Sequence, residues 1–371
     1  MVEFITMAPT SGDGEYVGVS KQRQKEDWKD LNESGERAPT FEYIKAVAQE
    51  AERSGFSTIL LPTGEACLDS LAVASRLMSH TSTLNFLFAV RPGSMHPSTF
   101  AKQFATVSDW SGGRALVNVV TGGSPKELAS QGDFLDHTTR YMRTREYIQI
   151  LKKYFSGETF SHKGEFFEIE EATLFPKLFE TPPIYFGGSS PIGKDVASSE
   201  ADVYMLWGET LATTAEQINE MKQLEADKGR ELSYSLSFQV ILGETEEAAK
   251  RNAEKLISKV DPDILNVKRK NMKQIESVGV NRLYELMENS VADEFFIDKN
   301  IWAGLAKVLP GNAIALVGTP EQVSDRLVEF INLGFDKVLL RGFPHLETIR
   351  EVGERVIPRV KEKLSNQYVL K

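Results

Sequence analysis

The sequence predicts an α/β fold, a closed (β/α)8 or TIM barrel with insertions at the C-terminal face. Three observations carry this expectation. Eight short apolar or β-branched runs recur along the chain, stretches with helical spacing lie between most of them, and each run closes on polar residues. Strands separated by crossover helices pair in parallel, and eight such units favour a closed ring over an open sheet. A doubly wound open sheet shares the same alternation, so strand counting leaves both architectures open.

The runs follow one another in a regular order. Phe4–Ala8 is the first strand, and the polar, charged stretch Val17–Thr40 is long enough to pass over the barrel mouth before a helix at Phe41–Arg53. Strand Thr58–Leu61 leads to helix Cys67–Met78, Leu84–Val90 to Ser98–Trp110, and Ala115–Val120 to Arg140–Tyr154. Pro183–Phe186 precedes a helix beginning near Ile192, Val203–Trp207 precedes Thr214–Lys228, and Tyr234–Leu242 is the seventh strand. The stretch 244–317 breaks the repeat with an amphipathic helix at Glu246–Ser258, a charged stretch at Asn266–Lys273 and the apolar turn IWAGLAKVLPG. An insertion of this length becomes either a lid on the substrate site or a plain helical hairpin. Helix Pro320–Leu333 and strand Lys337–Leu340 complete the order, so residues 1–371 read as one barrel domain with insertions near 17–40 and 244–317.

Composition narrows the function. The 371 residues carry 43 Lys plus Arg against 53 Asp plus Glu, a formal charge of -10 that gives no reason to expect nucleic acid or an anionic membrane as partner. Cys67 is the single cysteine, which excludes an intrachain disulfide framework and points to a reducing, cytoplasmic setting. The opening MVEFITMAPTSGDGEY lacks the basic flank of a signal peptide, and no apolar stretch approaches the roughly 20 residues that span a bilayer. No GxGxxG follows a strand, so no dinucleotide fingerprint is present. The five histidines are scattered without metal spacing, and the cluster Asp133, Asp136 and His137 reads as backbone capping, so no metal is expected.

In a barrel the chemistry gathers where the strands end. The closing residues are Thr10 and Ser11, Thr63, Arg91, Asn118 and Thr121, Ser189 and Ser190, Trp207 and Glu209, Gln239, then Arg341, Phe343 and His345. PIYFGGSSPIGK (Pro183–Lys194) joins a strand, two glycines, two serines and a helix start, an arrangement that suits a phosphate or a capped tight turn. Asp195 follows its GxxxxGK spacing where a nucleoside triphosphatase needs Ser or Thr. Cys67 lies near a helix start, where it is either a dipole-favoured thiolate or a small buried apolar residue.

Several stretches resemble the motifs of one family in the same order along nearly the whole chain. They are PTSGDGEYVG (Pro9–Gly18), LLPTGEACLD (Leu60–Asp69), FLFAVRPG (Phe86–Gly93), LVNVVTGG (Leu116–Gly123), FLDHTTRY (Phe134–Tyr141), YFGGSS (Tyr185–Ser190), VYMLWGE (Val203–Glu209), IWAGLAKVLPGNAIALVG (Ile301–Gly318) and GFPHLE (Gly342–Glu347). The chain is similar to the luciferase-like flavin-dependent monooxygenases, and within them to the alkanesulfonate monooxygenases. The resemblance implies a (β/α)8 barrel, reduced FMN (FMNH2) supplied by a separate NAD(P)H-dependent flavin reductase, O2 as co-substrate, and oxygenation of a small molecule through a C4a-(hydro)peroxyflavin. It implies flavin contacts from Asn118, Thr121, Tyr141, Gly188, Ser189 and Ser190, and reaction-site positions at Cys67, Trp207 and His345. A homo-oligomer is expected.

The departures fall in the expected substrate pocket. Alkanesulfonate monooxygenases have His, Arg, His, Arg and Tyr where this chain has Ser11, Ser237, Gln239, Leu309 and Phe343, whereas Arg91, Arg341 and His345 are in place. The expectation is therefore a kept flavin site and a rebuilt substrate site that leaves no cation unpaired and takes a neutral or weakly polar organosulfur compound. Two other readings stay open. In one, alkanesulfonate is the true substrate, cleaved to sulfite and aldehyde, with its anion held by Arg91, Arg341 or the lid lysines Lys268 and Lys270; in the other, the chain binds flavin but has lost oxygenation.

Overall fold

The structure, a computed structural model, describes residues 2–18, 36–263, 265–266, 275–309 and 311–369. Eight strands form a closed parallel ring: β1 (Glu3–Met7), β2 (Thr58–Leu61), β3 (Asn85–Val90), β4 (Ala115–Val119), β5 (Ile184–Phe186), β6 (Val203–Trp207), β7 (Ser233–Leu242) and β8 (Lys337–Arg341). Each pairs with the next, and β8 closes on β1 with Phe4 opposite Val338. This is the expected barrel, and all eight expected strands are present within a residue or two of their limits.

Strand alternation divides the apolar side chains into two cores. Phe4, Ile59, Phe86, Phe88, Val117, Phe186, Tyr204, Phe238 and Leu340 face outward and join the large cluster under the helices. Ile5, Leu60, Leu87, Tyr185, Val203 and Leu339 face inward and form a separate plug inside the barrel. Both faces are buried, which is why the strands read as continuous apolar runs.

The covering helices are α1 (Phe41–Arg53), α2 (Ser70–Leu77), α3 (Pro97–Ser111), α4 (His137–Phe155), α5 (Pro191–Glu200), α6 (Leu211–Asp227), α7 (Glu246–Leu256), α8 (Val278–Asn289), α9 (Pro320–Asn332), α10 (His345–Arg355) and α11 (Ile357–Val369). Side-chain caps set their starts: Asp69 accepts from the Ala72 amide, Asp136 from Thr139, Ser190 from Gly193 and Thr210 from Thr213. Asp69, Ser190 and Thr210 each follow a strand within eight residues, so there the same segment starts the helix and shapes the mouth. Asp69 starts α2 three residues after Cys67, and Asp136 in its capping role agrees with the sequence reading.

The stretch 244–317 is neither a plain helical hairpin nor helical throughout. At Gln239 β7 pairs both with Arg341 of β8 and with Ala315, and Val240–Leu242 run on in parallel with Leu316–Gly318, whose strand is followed outward by Ile301–Trp302 and Phe296–Asp298 in antiparallel order. The sequence reading has no strand here, because the run AIALVG falls within the insertion. A second omission is the hairpin of Phe160–Lys163 with Glu168–Ala172, whose turn amides Glu165, Phe166 and Phe167 donate to the Glu146 carboxylate on α4 at 2.9 to 3.0 Å. Its strands are exposed and polar, so they carry no apolar run to read.

Leu87 is fully buried in the barrel plug, against side chains held by the ring itself. Leu87→Ala should destabilise the protein by about 2–5 kcal/mol, seen as a lower urea midpoint, because closed strands cannot collapse into the cavity. A midpoint within error of the wild type would mean that the plug is not close-packed.

Candidate active site

Inward parity continues above the plug and there turns polar. The positions after the plug residues are Met7 on β1, Ala89 and then Arg91 on β3, Asn118 on β4, Met205 and Trp207 on β6, Ser235, Ser237 and Gln239 on β7, and Arg341 on β8. Trp207 is level with Ser237, and Gln239 with Arg341, across neighbouring strands. Several of these groups lack protein partners among the described residues: the hydroxyl of Ser237, Oε1 of Gln239 and Nε of Arg341 are all buried and unbonded. Gln239 is oriented by donation from Nε2 to the Asn312 carbonyl at 2.9 Å.

One carboxylate organises the opposite side of the mouth. Asp13, buried just after β1, accepts from the Gly14 amide at 2.8 Å and from the His345 amide at 2.7 Å, so it caps the first turn of α10 across 332 residues of sequence. His345 Nδ1 lies 3.0 Å from Asp13 Oδ1, but off the line of a hydrogen bond, and Nε2 has no partner among the described residues. The Tyr43 hydroxyl donates to Asp13, and Arg37 donates to Tyr43 at 3.3 Å and to both oxygens of Glu347 at 2.7 and 2.9 Å. Burial pushes the Asp13 carboxyl up, but His345, Tyr43 and the donated bonds outweigh it and hold the group below its ordinary value. Asp13, Tyr43 and Arg37 are not among the candidates that the sequence singles out, although Asp13 stands in the motif PTSGDGE.

Cys67 and Arg91 occupy the wall between. The buried Thr10 hydroxyl sits beside the Cys67 thiol, and burial raises the thiol above its ordinary range, which favours a neutral side chain over the thiolate alternative. Arg91 is ion-paired with Glu127 at 2.9 Å and donates to Gln131 at 3.2 Å, and Glu127 also accepts from the Glu65 amide. It is a neutralised wall residue rather than a free cation.

The expected phosphate turn joins β5 to α5. The Ser190 hydroxyl accepts from Gly193 at 3.2 Å, the Tyr204 hydroxyl donates to the Gly188 carbonyl at 2.8 Å, and a Cβ on Gly188 would lie 3.1 Å from both Gly193 and the Tyr141 hydroxyl. A side chain at 188 would therefore crowd the Gly193 backbone and the Tyr141 hydroxyl. Burial raises the Tyr141 phenol, opposed by its bond with Ser190. The Ser189 and Ser190 amides donate to no acceptor among the described residues. Thr121 lies behind, with its hydroxyl 3.1 Å from that of Thr144.

The long insertion closes over this mouth. A Cβ on Gly279, at the start of α8, would stand 3.2 Å from both the Trp207 ring and the Ser189 hydroxyl, and one on Gly311 would stand 2.8 Å from the other edge of Trp207. The Glu276 amide donates to the Gly123 carbonyl at 3.1 Å, and Arg282 on α8 pairs with the fully buried Glu209 and donates to Gln217 at 3.0 Å. The Glu209 carboxyl is raised by burial, with Arg282 opposing. Among the described residues the insertion thus packs against Trp207, Ser189 and the end of β6.

Other expected residues separate. Leu309 packs on the outer core beneath the lid, and Phe343 stacks edge-on against His345 with ring centroids 5.1 Å apart. Ser11 is exposed at the rim. Lys194 pairs with Glu220, so its GxxxxGK spacing serves an ion pair between helices. Lys268 and Lys270 lie outside the described residues. Arg341, inward on β8, pairs with no carboxylate among the described residues, and Nη1 donates to the Met7 thioether at 3.2 Å.

Comparison with known proteins gives a consistent picture. Residues 18–337 match the family model described as luciferase-like monooxygenase. EDTA monooxygenase from Chelativorans sp. BNC1 is similar in structure with a TM-score of 0.76 at 18% identity, covering 98% of this chain and 94% of that one. A long-chain alkane monooxygenase gives 0.71 at 19% identity, over 98% and 91% of the two chains. The oxygenating constituent of 3,6-diketocamphane monooxygenase from Pseudomonas putida, solved with FMN, gives 0.66 at 14% identity, over 97% and 99%.

Asp13→Asn tests the organising carboxylate. Because its folded-state pKa is depressed, the stability it adds is present above the unfolded value and is lost as pH falls through the folded one. The variant should be less stable than wild type by about 1.5–3 kcal/mol at neutral pH, with the gap closing below about pH 4. Urea denaturation at both pH values measures it, and a gap independent of pH would show that Asp13 is not ionised.

Proposed function

The chain belongs to the luciferase-like monooxygenase family, and from that premise we propose that it is the FMNH2-dependent oxygenating component of a two-component system acting on a small organic, organosulfur molecule. One observation carries this reading: at the C-terminal ends of the barrel strands, the Ser189 and Ser190 amides at a helix start donate to nothing among the described residues, and the inward Ser237, Gln239 and Arg341 each leave a buried polar atom unbonded. The Ser189 and Ser190 amides, with Tyr141 and Thr121 beside them, suit a flavin phosphate at the positive end of α5. Asn118, inward on β4, suits the polar edge of the ring system. The orphaned Ser237 and Gln239 groups give the remaining polar surface. When bound, reduced flavin supplies the electrons that activate O2.

The chain's own part is to bind, orient and exclude water. The insertion, whose Gly279 and Gly311 lie against the Trp207 ring, roofs the site, and Arg282 with Glu209 ties that roof to the end of β6. Asp13 anchors the His345 backbone amide and approaches Nδ1 at 3.0 Å, which leaves Nε2 to hold or deliver a proton at the mouth. Cys67, as a neutral thiol beside Thr10, lines the same space. A separate NAD(P)H-dependent reductase provides the flavin, in keeping with the absent dinucleotide fingerprint.

Ser189→Asp places a carboxylate at the proposed phosphate site and should weaken FMN binding at least about tenfold by like-charge repulsion. Fluorescence titration reads this directly, and unchanged affinity would remove the phosphate from this turn. The purified chain should not oxidise NADH or NADPH by itself, and O2-dependent turnover should appear when a flavin reductase is added. Pyridine nucleotide oxidation by the pure protein would overturn the two-component assignment.

A further inference from the structure

Two of the three side chains that floor the mouth are thioethers. Met7 from β1, Leu116 from β4 and Met205 from β6 are inward and partly buried, and they pack on the apolar plug. Every other residue from Phe4 to Thr10 is buried, so the accessible part of Met7 opens to the mouth that its inward position faces. Met7 is also held from one side: Nη1 of the buried Arg341, on the neighbouring strand β8, donates to its sulfur at 3.2 Å. A thioether sulfur has two lone pairs and is a weak acceptor. With one lone pair engaged by Arg341, the other is left to react. Cys67 lies near the same guanidinium, but burial raises its thiol and so lowers the fraction present as reactive thiolate.

Thioethers react with peroxides through such a lone pair. Sulfur attacks one oxygen of hydrogen peroxide, the O–O bond breaks, and the other oxygen leaves as water with the proton of the first. Sulfur is oxidised by two electrons to S=O, and the peroxide is reduced. We propose that Met7 is a site of oxidative modification, at which hydrogen peroxide yields one sulfoxide epimer with its oxygen on the floor of the mouth. The product is polar and chiral where the thioether was apolar. A ring laid against Leu116 and Met205 then meets a desolvated S=O dipole, so oxidation weakens ligand binding and acts as a brake on the site. The monooxygenase reading above adds a source of peroxide at the mouth, whereas the modification itself follows from the placement of Met7 and Arg341.

The test treats the purified chain, without flavin, with hydrogen peroxide at neutral pH and follows each methionine by mass spectrometry of its peptides. Dithiothreitol, added once the peroxide is removed, reverses the first oxidation products of Cys67 but not a sulfoxide. Met142, 41% exposed on α4, and the buried Met221 and Met287 on α6 and α8 set the scale. Met7 should be oxidised within about fivefold of the Met142 rate and at least about tenfold faster than Met221 and Met287. Methionine sulfoxide reductases A and B each reduce one epimer, so on the digest one of them should restore nearly all of Met7, against about half of Met142. Peroxide-treated wild type should bind FMN at least about threefold more weakly than untreated protein, a loss absent from Met7→Leu treated alike. Oxidation of Met7 as slow as that of Met221, an even mixture of its epimers, or an equal loss of FMN affinity in Met7→Leu would each overturn the proposal. Rate and epimer are read on wild type, so they decide the question even where Met7→Leu does not fold. A chain that bound no FMN would sink the flavin reading above, while rate and epimer would still decide on Met7.

Discussion

Closure of the eight-stranded ring is the constraint on which everything else rests. Once β8 pairs with β1, no strand has a free edge, and each residue is committed by parity to the helices or to the interior. The interior is narrow, so a few inward side chains such as Ile5, Leu87, Tyr185 and Leu339 fill it completely. Whatever follows them on the inward face has only the mouth to occupy. Asn118, Trp207, Ser237, Gln239 and Arg341 are gathered by that geometry from four strands, without any contact between them in sequence.

Burying polar groups at such a mouth raises the question of how their charges are balanced. On the β1 side the solution is a chain of partners, from Glu347 through Arg37 and Tyr43 to Asp13 and His345. It also stitches the end of the first excursion, at the strand pair Asp13–Gly14 with Glu36–Arg37, to the start of α10. On the β6 side Arg282 brings the compensating charge for Glu209 from the insertion, so the roof cannot lift without stranding a buried carboxylate. Electrostatic satisfaction and closure of the site are one event there.

Legibility in the sequence follows the range of the interactions involved. Strands β1 to β8 are readable because burial on both faces makes each a local apolar run, and helix starts because Asp69, Asp136 and Ser190 act within four residues of themselves. Ala315–Gly318 is hidden, since only pairing with the far end of β7 makes it a strand. Asp13 stands within a family motif, yet nothing local singles it out, since its partners Tyr43 and His345 lie 30 and 332 residues away. Arg341 is legible as a pocket residue, but no sequence pattern says that Arg91 is neutralised and Arg341 is not. That distinction depends on Glu127 reaching across from a short helix after β4.

The lid shows how substitutions that look like losses can be positional exchanges. Taken one at a time, Ser237, Gln239 and Leu309 remove charge from the pocket. Their surroundings account for part of this: Gln239 ties β7 to the Asn312 carbonyl, next to Gly311, which must be small to pass the Trp207 ring. Leu309 packs down on the outer core, where a charged side chain would meet apolar neighbours. With the lid held by packing and by a neutral amide, a cation anchored on β8 sits on the rigid ring instead of on the insertion. Arg341 is then fixed independently of how the roof is placed, and the roof is left to exclude water.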